Sequence, residues 1–114
     1  MTPIKSYTDL EQSRKLAEFL PLESADNYYS WHDERYYVVN KDCPYPYSLK
    51  EKIPCWSLAA LFKLLPKSAQ LEKGDVTELY RVTLPVELES SDWHIESVDA
   101  CYEMILKLNE LNLL

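Results

Sequence analysis

The stretch IPCWSLAALFKLLP, residues 53–66, decides how this chain reads. It carries one charge, Lys63, and is otherwise almost wholly apolar between two prolines. Pro54 suits the first turn of a helix, where its missing N–H costs nothing. Leu58, Leu61, Phe62 and Leu65 follow the i, i+3, i+4, i+7 spacing of a helix. Ala59, Ala60 and Leu64 fill the other faces. The stretch therefore predicts a helix from Pro54 to Pro66, apolar nearly all round and so buried nearly all round.

The chain on either side must supply what buries that helix. Upstream, NYYSWHDERYYVVN (residues 27–40) places aromatic and β-branched residues around His32, Asp33, Glu34 and Arg35. It predicts a hairpin with strands over 28–31 and 36–39. The following KDCPYPYS (residues 41–48) has two prolines and reads as irregular. Further upstream, Thr8 and Glu11 form a capping box that opens a first helix. Leu10, Leu16, Ala17, Phe19 and Leu20 give it an apolar side, and Pro21 stops it. Downstream, residues 67–75 read as a polar connection. Leu79 to Leu84 alternate as a strand broken near Pro85. ESSD (residues 89–92) reads as a turn and WHIE (residues 93–96) as a short strand. Ser97 caps the last helix, whose stripe is Val98, Cys101, Ile105 and Leu108, widened by Met104 and Leu111. The apolar tail LNLL (residues 111–114) is expected to pack back on the body. The order α-ββ-α-ββ-α predicts a single α+β domain over residues 1–114. Its antiparallel sheet has about four strands, packed against three helices.

Bulk composition removes several function classes. The chain has 114 residues, a size for one domain with a real core. Nine Tyr, three Trp and two Phe argue against disorder. Gly74 is the only glycine, so the glycine-rich loops that cradle phosphates are excluded. Net charge is −7. Residues 71–103 hold nine of the nineteen acids but two of the twelve bases, so all of the excess lies there. A surface of that sign repels the phosphate backbone, and direct nucleic-acid binding is not expected. The N-terminus has no apolar signal-like core, and no run is long enough for a membrane span. Cys43, Cys55 and Cys101 are odd in number and form no CxxC pair, which suits free thiols in a reducing cytoplasm.

Few residues carry a chemical signature. Cys55 near a helix N-terminus is a candidate nucleophile, and His32 and His94 are the two residues that can serve it as base. Cysteine is also among the most commonly buried residues, so simple packing competes with that role. Cys101 sits on the core stripe of its helix and reads as packing. His32 and His94 with Asp33, Asp92 or Glu96 include metal-ligand types, but no HxxxH or HxH spacing pre-arranges them. Glu87, Glu89, Asp92 and Glu96 include the residue types of an acid–base pair, but nothing in the sequence indicates the pocket or the raised pKa that chemistry needs, and a charged turn is their default reading. No cofactor or resident metal is implied. The aromatic run Tyr28, Tyr29, Trp31, Tyr36, Tyr37, Tyr45 and Tyr47 says more. Strand alternation sends these rings to both faces of a sheet, so some must be exposed, and exposed Tyr and Trp typify binding hot spots.

The blocks LPLESADNYY, IPCWSLAALFKLLP and VDACYEMILKLNELNLL, in that order, resemble a group of small uncharacterised proteins of gut anaerobic bacteria and their phages or mobile elements. The resemblance spans most of the chain and carries no catalytic signature, so no residue role comes with it. It implies an intracellular accessory protein that acts on another protein. The expected function is a non-enzymatic interaction module with an unidentified protein partner. Its surface would be Tyr28, Tyr29, Trp31, Tyr36 and Tyr37 of the first hairpin, with Glu87, Glu89, Asp92 and Trp93 of the acidic half. The alternatives are a small thiol- or histidine-dependent hydrolase and a self-associating structural protein, a homodimer through the apolar helix and tail.

Overall fold

The computed structural model describes residues 5–32, 34–40, 53–87 and 89–114. The expectations for segment 41–48, Cys43, Tyr45, Tyr47 and Asp33 lie outside the described residues, as does the side chain of His32. The fold is α+β with antiparallel strands and three helices among the described residues. The strands form two three-stranded sheets, not one sheet of four. The chain divides into two compact units. One is Tyr7–Ala60; the other is Leu61–Leu114 with the N-terminal residues up to Ser6.

The first unit begins with helix α1 (Leu10–Ala17). Its N-cap is Asp9, which accepts from the Gln12 N–H at 2.8 Å, while the Gln12 side chain accepts from the Asp9 N–H at 3.1 Å. This capping box is one residue later than the Thr8–Glu11 box expected. The reason is tertiary. Thr8 is fully buried, its N–H donates to the Trp56 carbonyl at 2.9 Å, and its Oγ1 accepts from the Trp56 N–H at 3.2 Å. A hydroxyl so engaged is not free to cap. The helix also ends before Pro21, with Glu18 as C-cap, and a 3₁₀ turn covers Leu22–Ser24.

Strands β1 (Asn27–His32) and β2 (Arg35–Asn40) form the expected hairpin in the register Tyr28↔Val39, Ser30↔Tyr37 and His32↔Arg35. Glu34 in the connection adopts the left-handed conformation, φ 62°. The third strand of this sheet, β3 (Ile53–Cys55), lies in the stretch read as helix. Pro54 sits opposite Tyr28 on this edge strand. It lacks an N–H, so the Tyr28–Pro54 pair belongs to the non-hydrogen-bonded kind. Proline here tolerates a strand position instead of opening a helix.

Helix α2 (Leu58–Leu64) starts only after Ser57, whose Oγ accepts the Ala60 N–H at 3.2 Å and so acts as its cap. Ser57 is itself held by Asp26, which accepts the Ser57 N–H at 2.9 Å and makes a short hydrogen bond with its hydroxyl. Ala60, Leu61 and Leu65 are buried, but Ala59, Phe62 and Lys63 are exposed on one side. The helix is therefore not enclosed all round.

The second unit holds strands β4 (Gln70–Lys73), β5 (Tyr80–Leu84) and β6 (Glu89–Ser90), with β5 central. β4 falls within the expected polar connection. Its QLEK sequence has too few β-forming side chains to announce a strand, and pairing with β5 creates it. ESSD is not a simple turn, because Glu89 and Ser90 pair with Leu84 and Thr83. The Ser91 hydroxyl accepts the Val82 N–H at 2.9 Å, and His94 then bridges Tyr80. The register from Thr83↔Ser90 to Tyr80↔His94 gains one residue on the Ser90–His94 side, as a bulge does.

Helix α3 (Ser97–Glu110) packs on β5, burying Val98, Cys101, Met104, Ile105 and Leu108 beside Val82 and Leu84. Its N-cap is Glu96, without a side-chain cap bond, and not Ser97. At its C-terminus Asn112 takes φ 57°, the Leu113 N–H donates to Leu108 and the Asn112 N–H to Asn109, which is a Schellman ending. Leu111, Leu113 and Leu114 stay about half exposed, so the tail does not pack back as expected.

Thr8→Val keeps the shape at the buried hub but leaves the Trp56 N–H without its acceptor. It should lower unfolding free energy by about 1–3 kcal/mol, read by chemical denaturation, with an unchanged circular dichroism spectrum.

Candidate functional site

The candidate residues fall on separate features, each within one unit. In the first unit Cys55 lies beneath α1. It is fully buried, 4.0 Å from Thr8 Oγ1, and its Sγ donates to the Thr8 carbonyl at 3.6 Å. Burial pushes the thiol up to about 11, only partly offset by hydrogen bonds from Thr8 and Ser13. Such a thiol is protonated at neutral pH and shielded from solvent, the opposite of an activated nucleophile. It also belongs to a strand and not to the first turn of a helix. Cys101 on α3 is likewise buried, and burial raises its thiol to about 12.

The hairpin displays the aromatics. Strand alternation and register place Tyr29, Trp31, Tyr36 and Val38 on one face, and Tyr28, Tyr37 and Arg35 on the other. On the first face Trp31 packs edge-on against Tyr36 at 4.8 Å, and Tyr36 meets Tyr29 edge-on at 6.4 Å. Tyr29 turns its hydroxyl inward, donating to the Thr8 carbonyl at 2.7 Å, and burial raises it to about 12. Trp31 keeps 40% of its surface exposed and Val38 36%. On the second face Tyr37 is 40% exposed, and its hydroxyl accepts from Arg35 Nε at 2.9 Å while the guanidinium lies 5.4 Å from its ring. The hairpin thus offers solvent an aromatic ridge whose rings are held by one another.

The second unit carries two polar clusters. Arg81 lies over the Trp93 ring at 4.4 Å and donates through Nε and Nη2 to one Glu72 oxygen at 3.0 and 2.6 Å. Trp93 remains 41% exposed, at the wall of an open cleft of about 640 Å³ shared with Gly74, Asp75 and Thr77. Opposite α3, His94 Nε2 lies 2.7 Å from a Glu103 oxygen, the Asp92 N–H donates to Glu103 at 3.0 Å, and Lys107 Nζ stands 3.4 Å away. Burial alone would raise the Glu103 carboxyl, but the His94 and Asp92 hydrogen bonds and the Lys107 charge hold it below its usual 4.5. Glu87 accepts from the Ser68 hydroxyl at 3.0 Å. Glu89 sits on β6 and is half-buried, and Asp92 is exposed.

Neither the Arg81–Trp93 stack nor the His94–Glu103 pair is visible in the sequence. Their partners stand nine or more residues apart on different elements, without a diagnostic spacing. Among the described residues no three His, Cys, Asp or Glu side chains gather as a metal site. No described helix is long and apolar enough to cross a membrane. Comparison with known family models, with curated proteins and with solved structures finds no match to this chain.

Two consequences can be measured. In the folded protein Cys55 should resist a thiol reagent at neutral pH and react only on unfolding, as peptide mapping by mass spectrometry would show. Rapid labelling of Cys55 without unfolding would contradict its burial. Asp26, like Glu103, is held below its usual value: burial raises it, and hydrogen bonds from the Ser57 side chain and backbone lower it past 3.8. A depressed carboxyl contributes stability above its unfolded pKa and loses it as pH falls through the folded one. Stability should therefore be level from neutrality to about pH 5 and fall below the 3.8–4.5 range. Asp26→Asn and Glu103→Gln should each shallow that fall in acid denaturation.

Proposed function

We propose that the protein is a non-enzymatic interaction module, and that the first hairpin is its binding surface. The observation that carries this reading is the ridge of Trp31, Tyr36 and Val38 on one face of the hairpin, with Tyr37 exposed on the other. Trp31 and Tyr37 are each 40% exposed and Val38 36%, yet Trp31 is held by its ring contact with Tyr36 and Tyr37 by Arg35. Rigid aromatics lose little entropy on binding, which is why they dominate interface energetics. The state of Cys55 supports a binding role over thiol chemistry. An intracellular accessory role, as the sequence resemblance implies, fits a small module that acts on another protein.

The acidic half is a secondary contribution. Glu72, Asp99 and Glu103 are paired with Arg81, Lys5 and His94, so these three carboxylates are engaged within the unit. That favours solubility and local stability over mimicry of a nucleic-acid surface, which needs a row of unpaired charges.

The test is affinity capture from the native host with wild type, Trp31→Ala and a Glu87→Lys Glu89→Lys control. At least one protein should be retained by wild type and by the control but lost with Trp31→Ala, whose melting temperature should be close to wild type. Identical retained sets for wild type and Trp31→Ala would refute the hairpin as the surface.

A further inference from the structure

The first unit's sheet has two edges that differ in their protection. One edge is β3, three residues long and interrupted by Pro54. A short, proline-bearing edge is a poor template for another strand. The other edge is β2, six residues long and carrying Tyr36, Tyr37, Val38 and Val39. It has no proline, and no charge after Arg35. These are strong β-forming side chains on an edge that pairs with no further strand among the described residues.

Pro54 also fixes which backbone groups that edge presents. Because the Tyr28–Pro54 pair is non-hydrogen-bonded, the Tyr28 N–H and C=O turn toward β2, and Tyr28↔Val39 is a hydrogen-bonded pair. Alternation then makes Ser30↔Tyr37 and His32↔Arg35 hydrogen-bonded pairs too. The N–H and C=O groups of Tyr36 and Val38 therefore point away from β1, outward from the sheet.

We propose that a second copy of this chain pairs antiparallel with β2 about a two-fold axis at Tyr37. This rests on the reading of the hairpin as the interaction surface and names one occupant for it. Under that axis Tyr36 lies opposite the second copy's Val38, and Val38 opposite its Tyr36, so each outward N–H and C=O meets its complement. The side-chain pairs are self-complementary as well. Tyr36 with Val38 is an aromatic–β-branched pair on one face, and Tyr37 meets Tyr37 on the other, at a non-hydrogen-bonded position where side chains approach closely. Charge complementarity agrees. Arg35, the single charge of the strand, falls opposite the uncharged Val39 and diagonal to the second copy's Tyr37, the ring type it already faces within its own chain. Two acidic chains thus meet through a segment that carries no carboxylate. The product is a continuous six-stranded sheet with the Trp31 ridges of both copies on one face.

Sedimentation of the full chain from micromolar to near-millimolar concentration tests the pairing. A reversible dimer is expected, weakened about tenfold or more by Val38→Pro, which removes an outward donor and no β1 bond. Val38→Lys serves if the proline variant does not fold. Register is tested by mild oxidation in a Cys43→Ser background. Tyr37→Cys should cross-link two chains, because non-hydrogen-bonded partners lie about 4.5 Å apart at Cα, whereas Val39→Cys should not. A monomer at all concentrations would overturn the proposal. So would a dimer indifferent to both Val38 variants, or cross-linking through Val39→Cys but not Tyr37→Cys. A monomeric chain that still captures a Trp31-dependent host protein would overturn the pairing and leave the hairpin's binding role intact.

Discussion

The first unit depends on the burial of Thr8. Its N–H and Oγ1 bind the backbone of Trp56, its Oγ1 also meets the Ser13 hydroxyl at 2.7 Å, and its carbonyl accepts from Tyr29 and Cys55. One residue thereby ties the N-terminal strand-like segment, α1, β1 and the end of β3 together. The bonds to Trp56, Ser13 and Cys55 are buried, so losing one of those partners leaves a buried donor or acceptor unmet, at about 1–3 kcal/mol. The same constraint moves the helix cap to Asp9 and places Cys55 under α1 as a structural thiol. A second lock lies beside it, where Asp26 holds Ser57 and Ser57 in turn starts α2.

The second unit is organised by the match between one strand and one helix. Val82 and Leu84 of β5 meet the apolar side of α3, and polar groups close the margins. Glu103 reaches from α3 to the Asp92 N–H and His94, while Lys107 donates to the Ser90 carbonyl at 2.6 Å. These bonds hold the irregular Ser91–Glu96 segment against the helix. The carboxylates that look in sequence like a free acidic surface are thus partly structural.

The contrast between the two edges of the first sheet connects fold to function. Proline ends the usefulness of β3 as a template and, through the pairing it forbids, orients the peptide groups of β2 outward at Tyr36 and Val38. The exposed aromatic ridge and the open edge belong to the same hairpin. A surface that presents both rigid rings and a strand edge with no further partner strand among the described residues is suited to binding by strand addition.

Periodicity and propensity along the chain determined the α+β class, the first hairpin to within a residue at each end, and α3 with its buried stripe of Val98, Cys101, Ile105 and Leu108. These elements were legible because their side-chain pattern alone selects a conformation. Tertiary structure decided the rest. Pro54 is a strand residue because an edge position asks no N–H of it, and β4 exists because β5 offers it a ladder. The aromatic positions were readable as candidates, since alternation guarantees some exposure. Their ring contacts, the Arg81–Trp93 stack and the His94–Glu103 pair were not, since no local spacing encodes a contact between distant elements. The role of Cys55 turned on burial and on which element held it, properties that only the packed chain possesses.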